Sequence, residues 1–224
     1  ALFPASFLSR AMLVRSAFEV TGRLFYGLAI TLTALSTTSA ILQATPLVVV
    51  AGAAMVFGER VGWQRWLAVF LGFAGVLVIL RPGAEFSALS LLAVVGLLGF
   101  AGRDLATRAA PGGMSNRQLG ALGFAMLALA GAILLVVSGG ARMPEGIELV
   151  HLAGGTVFGT LGYHALTYAM RTGEVSAVTP FRYTRLVFAM ILAIALFGER
   201  PDALTWIGAA LVVGSGIFTL TRRR

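Results

Sequence analysis

Long apolar runs and short polar breaks alternate along the whole chain. A helix that crosses a bilayer needs about 20 mostly apolar residues. Runs of that kind recur eight times, at residues 13–35, 38–57, 63–80, 87–109, 119–138, 147–170, 176–197 and 203–220. The breaks carry turn chemistry, as in GERVG, RPG, APGGMSN, SGGARMPEG, RTGE and GERPD. None is long enough to hold a soluble domain. The pattern predicts an all-α polytopic membrane protein with eight transmembrane helices in this chain.

Composition points the same way: 58% of residues are hydrophobic, 12% are charged, and mean hydropathy is +0.91. Soluble domains carry roughly a quarter charged residues. The net charge of +8 does not indicate nucleic acid, because the basic residues punctuate hydrophobic segments instead of forming a patch. All 17 are arginine. Eleven of them fall at or near one membrane face when the spans alternate, and only Arg81, Arg142 and Arg200 fall at the other. That bias puts both ends of the chain in the cytoplasm. Arg23, Arg182 and Arg185 lie inside predicted spans. The opening ALFPASFLSRAMLVRS lacks the order of a cleavable signal peptide.

With no cysteine, and with His151 and His164 far apart, disulfides and standard metal clusters are not expected. HExxH, GxSxG and Walker motifs are absent. The sequence therefore predicts no enzyme, no cofactor and no metal.

FGER occurs twice, at Phe57–Arg60 and Phe197–Arg200, 140 residues apart. The same offset pairs Ser36 with Ser176, Ala53 with Ala193, Trp66 with Trp206, Leu71 with Leu211 and Leu80 with Leu220. Five spans separate the two copies, and an odd number inverts the second copy in the membrane. Inverted repeats are a signature of secondary transporters that bind substrate near the midplane between their halves. Residues 1–83 read as the first repeat and 84–224 as the second. The first is two helices short of the second, so the expected native fold has ten spans, five plus five, with roughly 60 further residues ahead of this chain.

The stretch ALSTTSAILQATPLVVVAGAAMVFGERVGWQRWLAVFLGFAGVLVILRPG resembles the EamA-type half of the drug/metabolite transporter superfamily, and EVSAVTPFRYTRLVFAMILAIALFGERPDALTWIGAALVVGSGIFTL resembles its partner half. The resemblance rests on the spacing from Pro46 to Gly58-Glu59, the glycine-bearing helix that follows, and the duplicated order. It implies a ten-helix inverted-repeat carrier in the bacterial inner membrane. RDLATR and PFRYTR look most like a subgroup that includes riboflavin- and S-adenosylmethionine-type carriers. The implied partners are membrane lipid and a small metabolite (flavin-like, adenosyl-type or an organic anion), with a proton as candidate coupling ion. A flippase for a lipid-linked headgroup is the alternative.

Intramembrane ionisable residues mark pathways by default, since a central arginine costs about 2.5–3.5 kcal/mol on insertion scales. Arg182 and Arg185 share a helix face at i and i+3, with Tyr183 between them. The repeat aligns these three residues with Leu42, Thr45 and Gln43 respectively. A substrate site between the halves would then be cationic on one side and neutral on the other. Arg182, Tyr183, Arg185, Gln43 and Tyr163 are its expected residues. Glu19 and His164 are the proton-coupling candidates. Arg15, Glu19 and Arg23 are also spaced as an i, i+4 ladder of ion pairs, which accounts for them without transport. Asp104 and Arg108 in RDLATR have the same spacing, leaving Arg103 to face elsewhere. Glu59 and Glu199 are expected to end helices and brace the surface.

Overall fold

The structure is a computed structural model that describes residues 5–58, 62–80, 87–108, 115–140, 143–172 and 184–221. Those residues form helices α1 (Arg10–Leu32), α2 (Leu35–Leu42), α3 (Thr45–Phe57), α4 (Trp63–Leu80), α5 (Ser90–Arg108), α6 (Asn116–Val137), α7 (Ile147–Thr172), α8 (Thr184–Phe197) and α9 (Ala203–Thr221), after one 3₁₀ turn at Ala5–Leu8. Among the described residues three helical stretches are long and apolar enough to cross a membrane: Leu35–Phe57, Ser90–Thr107 and Arg117–Val137. Shorter apolar helices lie at Trp66–Leu80, Ile147–Gly162, Arg185–Phe197 and Ala203–Phe218.

Helix ends follow local chemistry. Ser115 opens α6 with a capping box: its hydroxyl accepts from the Gln118 N–H, and the Gln118 side chain accepts from the Ser115 N–H. Asp202 opens α9 by accepting from the Thr205 N–H and hydroxyl. The FGER glycines close α3 and α8 in the left-handed region, Gly58 at φ 65° and Gly198 at φ 63°. The 140-residue offset therefore reaches the elements: α3 and α8 both end on the FGER phenylalanine, and α4 and α9 start at Trp63 and Ala203.

One expected span is interrupted. The stretch read as a continuous helix over residues 38–57 is two helices, α2 and α3, broken at Gln43 and Ala44. Pro46 has no N–H to offer the Leu42 carbonyl four residues earlier. The Thr45 hydroxyl takes that place at 2.5 Å, which keeps the buried carbonyl satisfied while the helix is broken.

The core gathers around α2, whose Ser36 and residues from Thr38 to Leu42 are all buried. Its Ile41 and Leu42 meet Leu47, Val76, Leu97, Leu186, Met190 and Val212 in one cluster drawn from α3, α4, α5, α8 and α9. Two other contacts hold the bundle, and both use glycine to bring backbones together. In α1 against α5, a Cβ on Gly99 would lie 2.5 Å from the Gly22 nitrogen. In α4 against α9, a Cβ on Gly75 would lie 2.8 Å from the Gly208 carbonyl oxygen, and one on Gly208 2.7 Å from that of Gly75. These last two helices run antiparallel, since Gly72 faces Ser215, Gly75 faces Leu211 and Val212, and Ile79 faces Gly208.

Candidate functional site

The close approach of α1 and α5 sets up the charge. With no side chain at Gly22 and Gly99, the residues on either side of that contact face each other across a short gap. Glu19 lies thirteen residues from Leu32 along α1, and Arg103 thirteen residues from Ser90 along α5. At about 1.5 Å per residue, Glu19 is roughly 20 Å from Leu32 and Arg103 roughly 20 Å from Ser90, while Arg103 is only five residues from the Arg108 end of α5. Glu19 is buried there with 2% of its side chain exposed. Its carboxylate pairs with Arg15 at 3.3 Å, Arg23 at 3.0 Å and Arg103 at 3.3 Å. Arg15 also donates to the Thr107 hydroxyl at 2.9 Å, and Arg103 pairs with Asp104 at 2.8 Å.

The ladder expected from the spacing of Arg15, Glu19 and Arg23 is thus present. Arg103 adds a third cation from another helix, which one helix's spacing cannot reveal. Asp104 turns to its neighbour Arg103, and the Arg108 side chain lies outside the described residues.

Aromatic rings continue the strip from this hub. The Arg103 guanidinium stands 5.0 Å above the Phe100 ring centroid. Phe100 meets Tyr26 edge to face at 6.1 Å. The Arg185 guanidinium lies 6.0 Å from the Tyr26 ring centroid. Arg103, Phe100, Tyr26 and Arg185 therefore run cation, ring, ring, cation from α5 through α1 to α8. The first three are half-buried and Arg185 is exposed. Such a strip can stack a flat group and attract electron-rich substituents. Sequence reading missed Tyr26 and Phe100, although Tyr26 sits at i+3 from Arg23 and i+7 from Glu19, on the charged face of α1.

Of the other expected residues, Gln43 is buried at the break between α2 and α3. Tyr163 and His164 lie on α7, but their side chains fall outside the described residues, as do Arg182 and Tyr183 altogether. Among the described residues no group of histidine and acidic side chains could hold a metal ion.

A second polar site lies at one end of the bundle. A cavity of about 400 Å³ is lined there by Ala34, Ser36, Ser87, Ser90, Glu199 and Thr205, among others. Glu199 does more than end a helix. Its carboxylate accepts from the N–H groups of Leu35 at 2.6 Å and Ser36 at 3.1 Å, and from the Ser36 hydroxyl at 2.6 Å.

Comparison with known proteins gives the family. The profile of the EamA-like transporter family matches residues 87–221. The chain belongs to that family. The family is one of transporters, and the apolar helices of the chain fit a multi-pass membrane protein. This EamA-like chain is 29% identical over 196 residues to an S-adenosylmethionine uptake transporter of Rickettsia felis, covering 87% of this chain and 65% of that protein. It is likewise 29% identical over 181 residues to a riboflavin transporter of Vibrio cholerae, covering 80% and 60%. The chain thus spans less than two thirds of these relatives' length. A solved crystal structure overlays with a TM-score of 0.58 at 18% identity, covering 97% of this chain and 91% of its own, a likeness of fold.

Proposed function

We propose that the protein is a secondary carrier that moves a small organic metabolite across the bacterial inner membrane by alternating access. Its substrate binds near the midplane, between two halves related as inverted repeats in a ten-helix fold. The observation that carries this reading is the strip from Glu19 to Arg185, a run of charges and rings across three helices of an apolar bundle. Three further features support it. Equivalent helices α4 and α9 pack antiparallel, as an in-plane two-fold requires. The helix break at Gln43 resembles the discontinuous helices that frame transporter sites. The arginine bias favours a cytoplasmic C-terminus.

The substrate follows from the strip's chemistry. Arg15, Arg23, Arg103 and Arg185 outnumber Glu19 and Asp104 by two charges. A flat, electron-rich ring suits the Phe100–Tyr26 pair, which has a guanidinium group at each end, whereas a sulfonium cation would meet net positive charge. Of the cargoes named for the relatives, a flavin fits this surface better than S-adenosylmethionine. Proton coupling through Glu19 would require its carboxylate to leave three guanidinium groups during the cycle.

The test is a thermal-shift and liposome-uptake screen of the full-length protein against flavins, nucleosides, S-adenosylmethionine, amino acids and organic anions. A ligand at a hundred times its Kd should stabilise by about 2.7 kcal/mol. A flavin-like hit that weakens about tenfold in Tyr26→Ala and Arg185→Ala is the expected result. A hit indifferent to both changes moves the site elsewhere, and the absence of uptake for every class ends the carrier reading. Uptake that follows a pH gradient equally well in Glu19→Gln removes Glu19 from coupling.

A further inference from the structure

Glu199 joins parts of the chain that belong to different repeats. It sits in the corner between α8 and α9, while its three hydrogen-bond donors open α2. The corner is firmly built: Gly198 takes the left-handed turn, the Glu199 N–H donates to the Ala193 carbonyl at 3.0 Å, and Asp202 starts α9. The other side is a short helix with a break at each end. α2 is eight residues long, with extended backbone at Thr33 and Ala34 before it and the Gln43–Ala44 break after it. A short helix bounded by two breaks can shift as a unit without unwinding its neighbours.

The contact itself combines a carboxylate with free N–H groups at a helix start, where the backbone dipoles favour negative charge. Charge-assisted hydrogen bonds of 2.6 Å are among the stronger ones in proteins. They line the 400 Å³ cavity, so an aqueous solute can reach them without crossing the core. The sequence also repeats both partners at the 140-residue offset, as Glu59 and Ser176, which lie outside the described residues.

We infer that Glu199 and the first turn of α2 form a latch that holds the two halves together at the extracytoplasmic end and releases when the carrier opens outward. The inference rests on the alternating-access reading, because only a carrier whose halves separate needs this contact to break. Glu199 is thereby a gating residue that does not touch substrate.

Ser90, on the cavity wall, supplies the reporter. These 224 residues hold no cysteine, so Ser90→Cys, with any cysteine elsewhere in the full-length protein changed to serine, is a single label site for a membrane-impermeant thiol reagent added from outside. Adding Glu199→Gln, or the milder Ser36→Ala, should speed labelling in liposomes by about tenfold and severalfold respectively. Both variants should keep the monodispersity and the ligand-induced thermal shift of the parent. Labelling unchanged in Ser36→Ala and in a folded Glu199→Gln overturns the latch and makes the contact a fixed brace. Uptake by the unaltered protein is measured alongside. Uptake with unchanged labelling sinks the latch alone, and no uptake of any substrate sinks the carrier reading beneath it.

Discussion

Glu19 has lost nearly all contact with solvent, and the three guanidinium groups around it come from two helices. Moving ions out of water costs several kcal/mol each even after relaxation, so such a cluster adds little net stability as a whole. Removing its single shared anion is another matter. Arg15, with 5% of its side chain exposed, would remain buried beside two like charges. Glu19→Ala is therefore expected to destabilise the protein by about 3–5 kcal/mol, the range for breaking a buried pair from one side. Asp104 is 26% exposed, and its partner Arg103 would keep Glu19, so Asp104→Asn should cost about 1 kcal/mol or less. Unfolding in bicelles measures both. Equal losses in the two variants would show that Glu19 is not the centre of the cluster.

At the scale of helices, glycine decides which faces meet. A Cβ on Gly99 would fall 2.5 Å from the Gly22 nitrogen and 2.6 Å from its Cα, and backbone cannot give way as a side-chain tip can. Gly99→Val should force α1 from α5 and cost upwards of about 3 kcal/mol, more than ordinary overpacking. A Cβ on Gly131 in α6 meets nothing within 4 Å. Gly131→Ala should be neutral, or stabilising by up to about 1 kcal/mol through helix propensity. Melting temperatures in one detergent compare the two, and similar shifts would mean the α1–α5 contact is looser than described. Element order was legible in the sequence because spans, turns and the FGER offset are local signals. The break at Gln43 was not, although Thr45-Pro46 hinted at it, because a hydroxyl can hide a missing N–H. Arg103 joining Glu19 and Glu199 reaching α2 were illegible for a different reason. Both depend on how helices far apart in sequence are set against each other, which periodicity within one helix does not encode.

The whole molecule is uneven around its edge. In the inverted-repeat reading α1 and α7 are equivalent, and the 140-residue offset matches Phe18 with Phe158 and Gly22 with Gly162. On α1 these residues are engaged: a Cβ on Gly102 of α5 would touch the Phe18 ring, and one on Gly22 would meet Phe100. On α7, Phe158 is 76% exposed and a Cβ on Gly162 meets nothing within 4 Å. Among the described residues no side chain of α7 is buried. In the ten-helix reading, that face receives first-half helices equivalent to α5 and α6, and the relatives are long enough to supply them. If lipid alone covers it, the glycine has no packing to protect. Gly162→Leu in the full-length protein separates the two cases. Packed helices predict a loss of about 1–3 kcal/mol from overpacking, while a lipid-facing surface predicts a change within about 0.5 kcal/mol. The corresponding change on α1, Gly22→Leu, calibrates the scale, because a Cβ there already lies 2.8 Å from the Phe100 ring and 3.1 Å from its backbone nitrogen. Comparable losses at the two positions would extend the two-fold relation to helices beyond those described. A loss at Gly22 alone would leave α7 facing lipid and the ten-helix reading without its main geometric support.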